Sequence, residues 1–171
     1  MKFEIHNESL VKDFGISVAH LQNMLASLTQ VLSRQSDLTI EVKQYELGVI
    51  FSTADEIQNL NAEFRELDEV TDVLSFKITD EVGEIYVCPE YIKTHLLAES
   101  GKEDISTHAL VIEIVRMIIH GVLHIAGFDH AGHFGWDGAH DKEDVMYTHQ
   151  EQILTDVLKS GNEVVVEPDS N

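Results

Sequence analysis

Residues 107–130 read T-H-A-L-V-I-E-I-V-R-M-I-I-H-G-V-L-H-I-A-G-F-D-H, an apolar run broken by a few charged and imidazole side chains. This pattern predicts a long helix buried in the core of the fold. His120 and His124 are four residues apart, so their side chains leave the same helix face, one turn apart. Gly127 suits a left-handed turn at the helix end, and that turn would bring His130 back toward the pair. The stretch therefore predicts a core helix with three imidazoles converging at its end.

Three histidines at this spacing are the ligand set of a catalytic metal site. Zinc in such sites takes three protein ligands and keeps a fourth position for water, whose pKa the metal lowers toward neutrality. A lone histidine on an apolar helix is more often a packed core residue, but three beside a glycine turn are hard to explain in that way. We predict that His120, His124 and His130 bind one zinc ion. Other divalent transition metals also accept imidazole ligands.

The residue after the first histidine bears on the reaction. Metzincin proteases share the spacing of four and then six residues, but they carry a glutamate directly after the first histidine as general base. Gly121 occupies that position here, so a protease mechanism of that type lacks its base. We expect hydrolysis of a phosphodiester instead, because a metal ion can polarise a phosphate oxygen. A zinc metallopeptidase is kept as an alternative.

Composition restricts the compartment and the partners. The 171 residues are 43% hydrophobic, enough for one domain with a sizeable core. A formal net charge of −20 argues against non-specific binding to a phosphate backbone, so no DNA partner is expected. The single cysteine, Cys88, excludes an internal disulfide and fits a reducing compartment. The N-terminus shows no apolar signal segment and the apolar run carries charges, so we expect no membrane span and predict a cytoplasmic protein.

Hydrophobic periodicity predicts the other elements. Alternating patterns predict strands at Lys2–His6, Leu38–Val42, Leu47–Ser52, Val73–Phe76 and Glu84–Cys88. Helical spacing predicts helices over residues 18–32, from Thr53 to about Leu67, from Pro89 to Glu99, from Ser106 or Thr107, and over residues 143–159. Thr53 and Glu56 have the spacing of a capping box. The order predicts an α+β fold, with a small mixed sheet of about four strands packed with helices and a zincin-like metal helix. Residues 1–159 are predicted to form one domain and residues 160–171 a flexible tail.

The histidine run resembles the signature H-G-x-L-H-x-x-G-[YF]-D-H of the YbeY family of bacterial metal-dependent endoribonucleases, and it matches from His120 to His130. A second segment agrees with the family at Leu60-Asn61, at Phe64-Arg65 and in T-D-V-L-S-F over residues 71–76. Weaker similarity is found at Gly83-Glu84-Ile85 and in the last helix, at Asp144, Met146, Glu151 and Ile153-Leu154. The resemblance covers residues 60–158.

The resemblance implies a zinc-dependent, single-strand-directed endoribonuclease that acts in ribosomal RNA maturation and ribosome quality control. The implied partners are ribosomal RNA and, with it, ribosomal proteins or ribosome-associated factors; a non-catalytic ribosome-associated zinc protein is a further alternative. His120, His124 and His130 match the metal ligands, and Arg65 matches the functional arginine of the family. Ser75 and Phe76 match the strand that lines the cleft.

Several roles are left open by the sequence. Arg65 would bind the substrate phosphate in a bidentate manner, or it would form a surface ion pair with Glu63 or Asp68. Arg116 would help to hold phosphate, or it would pair with Glu113 one turn earlier on the helix.

The chain departs from the family pattern at a few positions. Lys77 stands in place of a proline, Glu84 replaces an aspartate, and the loop over residues 131–141 is longer, with additional His133 and His140. Asp129 would orient a ligand imidazole or cap local backbone. The general base is not identified by the sequence.

Overall fold

A four-stranded sheet and six helices make up the described part of the chain. In this computed structural model the described residues are 1–35, 44–128 and 145–162, the last two of them for backbone only. The elements are β1 (Lys2–His6), α1 (Glu8–Asp13), α2 (Val18–Arg34), β2 (Glu46–Phe51), α3 (Ala54–Arg65), β3 (Val73–Lys77), β4 (Val82–Val87), α4 (Pro89–Ser100), α5 (Thr107–Ile125) and α6 (Val145–Asn162). The predicted strand Leu38–Val42 lies outside the described residues.

The sheet is mixed, with the strand order β1-β2-β4-β3. Strand β2 runs parallel to both β1 and β4, whereas β3 and β4 form an antiparallel hairpin in which Ser75 is opposite Ile85. Thr79 closes the hairpin turn, because its hydroxyl accepts from the backbone N–H of Glu81 and of Val82. The mixed sheet of about four strands and the α+β class are confirmed. β3 is an edge strand of this sheet.

Helix starts follow the capping residues of the sequence. Thr53 and Glu56 form the predicted capping box at α3: the Thr53 hydroxyl accepts from the Glu56 N–H, and the Glu56 carboxylate accepts from the Thr53 N–H. Ser106 caps α5 through the N–H of Ala109, and Pro89 occupies the first turn of α4. These local interactions satisfy N–H groups that have no partner within the helix.

The main core lies between one face of the sheet and the helices α2, α5 and α6. Helix α5 is its central element, and its buried apolar side chains include Ile114, Ile118 and Val122. It is also the one helix of the described residues that is long and apolar enough to cross a membrane by length and composition. Its packing against the sheet is that of a core helix.

A smaller cluster lies on the opposite face of the sheet. Here α3 packs on the β3–β4 hairpin, with Ile57, Leu74 and Cys88 fully buried. Cys88 therefore packs in this cluster, and burial raises the pKa of its thiol above the ordinary value. Strand β3 is held between α5 on one face and α3 on the other.

One whole helix and several element bounds differ from the sequence prediction. The short helix α1 was not predicted, because six residues are too few to show a periodic pattern. Helix α3 ends at Arg65 rather than near Leu67, since Glu66 takes a left-handed conformation with φ 61°. Helix α6 continues to Asn162, beyond the predicted end at Lys159.

Candidate metal centre

His120 and His124 point toward each other from consecutive turns of α5. Their Nε2 atoms lie 3.1 Å apart, and their rings meet edge to face with centroids 4.6 Å apart. Both side chains are half-buried. The predicted convergence of these two imidazoles is therefore present in the fold.

The turn after α5 forms a hydrogen bond with the imidazole ring of His124. Gly127 has φ +91°, the left-handed conformation that the sequence predicts at this position. The N–H of Gly127 donates to the backbone carbonyl of His124, and the N–H of Phe128 donates to the backbone carbonyl of Leu123. The two hydrogen bonds together form a Schellman motif. This turn directs the Phe128 carbonyl toward Nδ1 of His124 at 3.1 Å.

Helix α6 holds the first imidazole. Nδ1 of His120 lies 2.9 Å from Oε1 of Gln150, a buried side chain. The amide nitrogen of Gln150 donates to the Glu151 carboxylate at 3.2 Å. Because the nitrogen faces a carboxylate, the amide oxygen must be the atom that faces His120.

These contacts determine the tautomers of both rings. A carbonyl oxygen can only accept, so Nδ1 carries the proton in both His120 and His124. When both rings are neutral, each Nε2 presents a lone pair to the other across 3.1 Å. A cation bound between the two nitrogens would satisfy both lone pairs. Two imidazoles on one tetrahedral zinc ion, with Zn–N of about 2.0–2.1 Å, would hold their nitrogens about 3.3 Å apart. The donor set thus fits the predicted metal.

The third predicted ligand, His130, lies outside the described residues. The same holds for Asp129 and for the loop histidines His133 and His140. Among the residues that the structure describes, no group of three His, Cys, Asp or Glu side chains forms a metal site. The three-ligand assignment accordingly remains a prediction.

Arg116 lies one turn before His120 and is engaged by two carboxylates. Its guanidinium donates to Glu113 on its own helix and, at 2.9 Å, to Glu151 on α6. Burial raises the pKa of the Glu113 carboxyl, and the nearby Arg116 opposes that shift. Of the two roles considered for Arg116, the structure shows the ion pair with Glu113.

Arg65 is the last residue of α3, and its side chain is exposed. Neither Glu63 nor Asp68 forms a salt bridge with it in the described structure; Asp68 instead accepts from Gln58. Asn61 shapes the chain reversal after Arg65, because its side-chain amide donates to the Glu69 carbonyl and its backbone carbonyl accepts from the N–H of Leu67. Arg65 therefore presents its guanidinium at a fixed turn. The described contacts do not join it to the histidine pair.

Ser75 and Phe76 lie on opposite faces of the edge strand β3. Ser75 shares the face of Ile85, which packs against α5 at Gly121. Phe76 faces α3. Its ring centroid lies 5.1 Å from that of Phe64 on α3 and 5.8 Å from that of Tyr86 on β4. Only Ser75 of this pair is thus directed to the side of the sheet that carries the histidines.

Gln150 was not singled out from the sequence, although the sequence contains a signal for it. The buried stripe of α6 includes Met146, Ile153 and Val157. Gln150 falls at the matching helical position, four residues after Met146, where an apolar side chain is expected. A buried amide at a core position indicates a specific hydrogen-bond partner, and that partner is His120.

Comparisons with known proteins agree with these features. A family model described as Endoribonuclease YbeY matches residues 5–158. The protein named Endoribonuclease YbeY of Thermotoga neapolitana is 39% identical over 107 residues, which are 59% of this chain and 67% of that protein. Its counterpart in Aliarcobacter butzleri is 36% identical over 119 residues, covering 69% of this chain and 74% of the relative. The alignment to the Thermotoga petrophila protein spans 57% of its length.

The fold comparison extends over nearly the whole chain. The solution structure of TM1509 from Thermotoga maritima matches with a TM-score of 0.57 and 25% identity, and the match covers 99% of each chain. The family match includes α5, the Gly127 turn and the part of α6 that carries Gln150. The chain belongs to the endoribonuclease YbeY family.

Proposed function

We propose that the chain is a zinc-dependent endoribonuclease that cleaves phosphodiester bonds of single-stranded ribosomal RNA during ribosome maturation and quality control in the cytoplasm. The observation that carries the proposal is the approach of the Nε2 atoms of His120 and His124, which face each other at 3.1 Å. Family membership supports the RNA substrate, since the named relatives are endoribonucleases. His120, His124 and His130 would hold the ion. When bound, zinc supplies Lewis-acid polarisation of a phosphate oxygen and an acidified water.

The residues around the pair prepare this site before any metal binds. Gln150 and the Phe128 carbonyl each contact Nδ1 of one ring, and so orient both Nε2 atoms toward the same point. Position 121, where a protease of the metzincin type has its base, is a glycine packed on Ile85. A side chain there would meet the sheet. The chain thus lacks the feature that peptide hydrolysis of that type needs.

Metal content and cleavage are tested together with two histidine variants. His124→Ala removes a proposed ligand, and His108→Ala is the matched control, because His108 is exposed in the first turn of the same helix. Elemental analysis should find one zinc per chain in the wild type and in His108→Ala, and little in His124→Ala. Cleavage of a labelled single-stranded ribosomal RNA fragment should follow the same order.

Each part of the proposal has its own contrary result. Equal zinc content in His124→Ala and in the wild type would refute the ligand assignment. A zinc-loaded wild type that leaves RNA intact would refute the nuclease activity. Digestion of an unfolded protein in the parallel reaction would favour the peptidase.

Arg65 is proposed to bind the substrate phosphate. The support is its availability: Arg65 is exposed and unpaired with the neighbouring carboxylates of the described structure, whereas Arg116 is held by Glu113 and Glu151. Arg65→Ala should lower the cleavage rate by about 100-fold while zinc content stays unchanged. The cleavage rate of Arg65→Lys should lie between those of the wild type and of Arg65→Ala, because lysine keeps the charge but cannot make two parallel hydrogen bonds. Arg34→Ala, at the exposed end of α2, is the control.

A further inference from the structure

Part-buried polar contacts between α5 and α6 form a chain of hydrogen bonds that leads from Arg116 to His120. Arg116 donates to Glu151 at 2.9 Å, and the same Oε1 atom of Glu151 accepts from Gln150 at 3.2 Å. Gln150 in turn faces Nδ1 of His120 at 2.9 Å. Since His120 is one turn after Arg116 on α5, this chain of hydrogen bonds begins and ends on the same helix.

Each member of this chain of hydrogen bonds sets the orientation of the next. The fixed positive charge of Arg116 holds the Glu151 carboxylate in place. The carboxylate can only accept, so it selects the amide orientation in which Gln150 presents oxygen to His120. That oxygen keeps the proton on Nδ1 and turns Nε2 toward His124. An apolar residue at position 150 would remove this control and leave a half-buried N–H without its acceptor.

We propose that Gln150 is a positioning residue of the metal centre: it fixes the tautomer and the ring orientation of His120, so that Nε2 is ready to bind the ion. Glu151 and Arg116 act through Gln150. The inference rests on the metal site of the proposed function. It adds a role for α6, which carries none of the three predicted ligands.

The test uses the whole chain and inorganic zinc. Gln150→Leu removes the acceptor with little change of volume. Gln152→Leu is the matched control, the same change two residues later on an exposed side chain that bonds only Asp156 among the described residues. Zinc affinity is measured by competition with a chelator, and the His120 tautomer of the metal-free protein by long-range ¹H–¹⁵N NMR.

We expect Gln150→Leu to bind zinc about 10- to 100-fold more weakly than the wild type, and Gln152→Leu to bind it equally well. The His120 signals of Gln150→Leu should lose the pattern of a ring protonated at Nδ1 alone. Gln150→Glu should restore most of the affinity, because a carboxylate also accepts from Nδ1. If the leucine variant does not fold, the zinc affinity of Gln150→Glu is compared with that of the wild type instead.

The outcomes separate the two proposals. A wild type that binds no zinc defeats the proposed metal function itself. If the wild type binds zinc and Gln150→Leu binds it with the same affinity as the wild type or as Gln152→Leu, the positioning role alone is overturned. Failure of a folded Gln150→Glu to bind zinc better than Gln150→Leu overturns it too.

Discussion

Replacing Gly121 by alanine is expected to destabilise the fold, although alanine is the better helix former. A Cβ atom at position 121 would lie 2.9 Å from Cγ2 and 3.2 Å from Cγ1 of Ile85. Carbon atoms in ordinary contact are about 3.5–4.0 Å apart. Ile85 is fully buried in β4, between two neighbouring strands, and these atoms are next to its backbone. The contact can be relieved only if α5 moves away from the sheet.

The expected size follows from two opposing effects. Alanine gains about 1 kcal/mol over glycine within a helix, and overpacking of a well-filled core costs about 1–3 kcal/mol. Because the clash involves Cγ1 and Cγ2, the two carbons attached to the branched Cβ of Ile85, the cost lies toward the upper end, and we expect a net loss of about 1–2 kcal/mol. Since His120 directly precedes Gly121, the displacement should also weaken zinc binding.

Gly83→Ala is the matched control for this prediction. Its Cβ would meet Cδ2 of Leu47 at 2.8 Å and Cδ1 of Ile125 at 2.9 Å, which are the ends of flexible side chains. We expect a change of less than about 1 kcal/mol, since these methyl groups can rotate away. Urea unfolding followed by circular dichroism measures both variants.

A double-mutant cycle identifies the contact itself. Ile85→Ala alone should cost about 2–5 kcal/mol, because it leaves a cavity. Combined with Gly121→Ala, it should cost about 2–3 kcal/mol less than the sum of the two single changes, because the clash disappears while the helix gain of alanine remains. A Gly121→Ala protein that is as stable as the wild type, or strict additivity in the cycle, would refute the steric argument.

Three further predictions concern local interactions. Thr53→Ala removes the capping box of α3 and should lower the free energy of unfolding by about 1 kcal/mol in urea titrations; no change would contradict the cap. Glu66→Gly should raise the free energy of unfolding by about 0.5–1 kcal/mol, because glycine adopts φ 61° without strain. A lower free energy of unfolding would show that the Glu66 side chain contributes more to stability than the strain removes. Burial raises the pKa of the Asp72 carboxyl, so this group stabilises the fold below its ordinary pKa of 3.8 and loses that contribution as the pH rises through the raised value. Asp72→Asn cannot ionise and should become progressively more stable relative to the wild type as the pH rises above about 4, whereas a constant difference would count against the raised pKa.

The parts of this fold that sequence could predict are those set by local chemistry. The hydrophobic pattern of α5, the Thr53–Glu56 capping box and the left-handed turn at Gly127 each depend on residues within a few positions of one another. The partners of the site do not. Gln150 reaches His120 across 30 residues, and Glu151 reaches Arg116 across 35. No periodicity indicates which polar side chains of two helices will meet, so the sequence left the role of Arg116 open and gave none to Gln150.

The two faces of α5 explain why this helix can be both the centre of the core and the base of the site. One face is apolar and lies so close to the sheet that only glycine fits at position 121. Polar residues at spacings of three and four, from Glu113 to His124, follow another face. Such groups would be costly in a core unless hydrogen-bonded, and Gln150 and Glu151 of α6 supply part of those bonds. An apolar pairing of α5 and α6 would bury the same area without the need for exact partners. The polar contacts of this seam orient His120 toward His124, and they therefore fit the metal site proposed above.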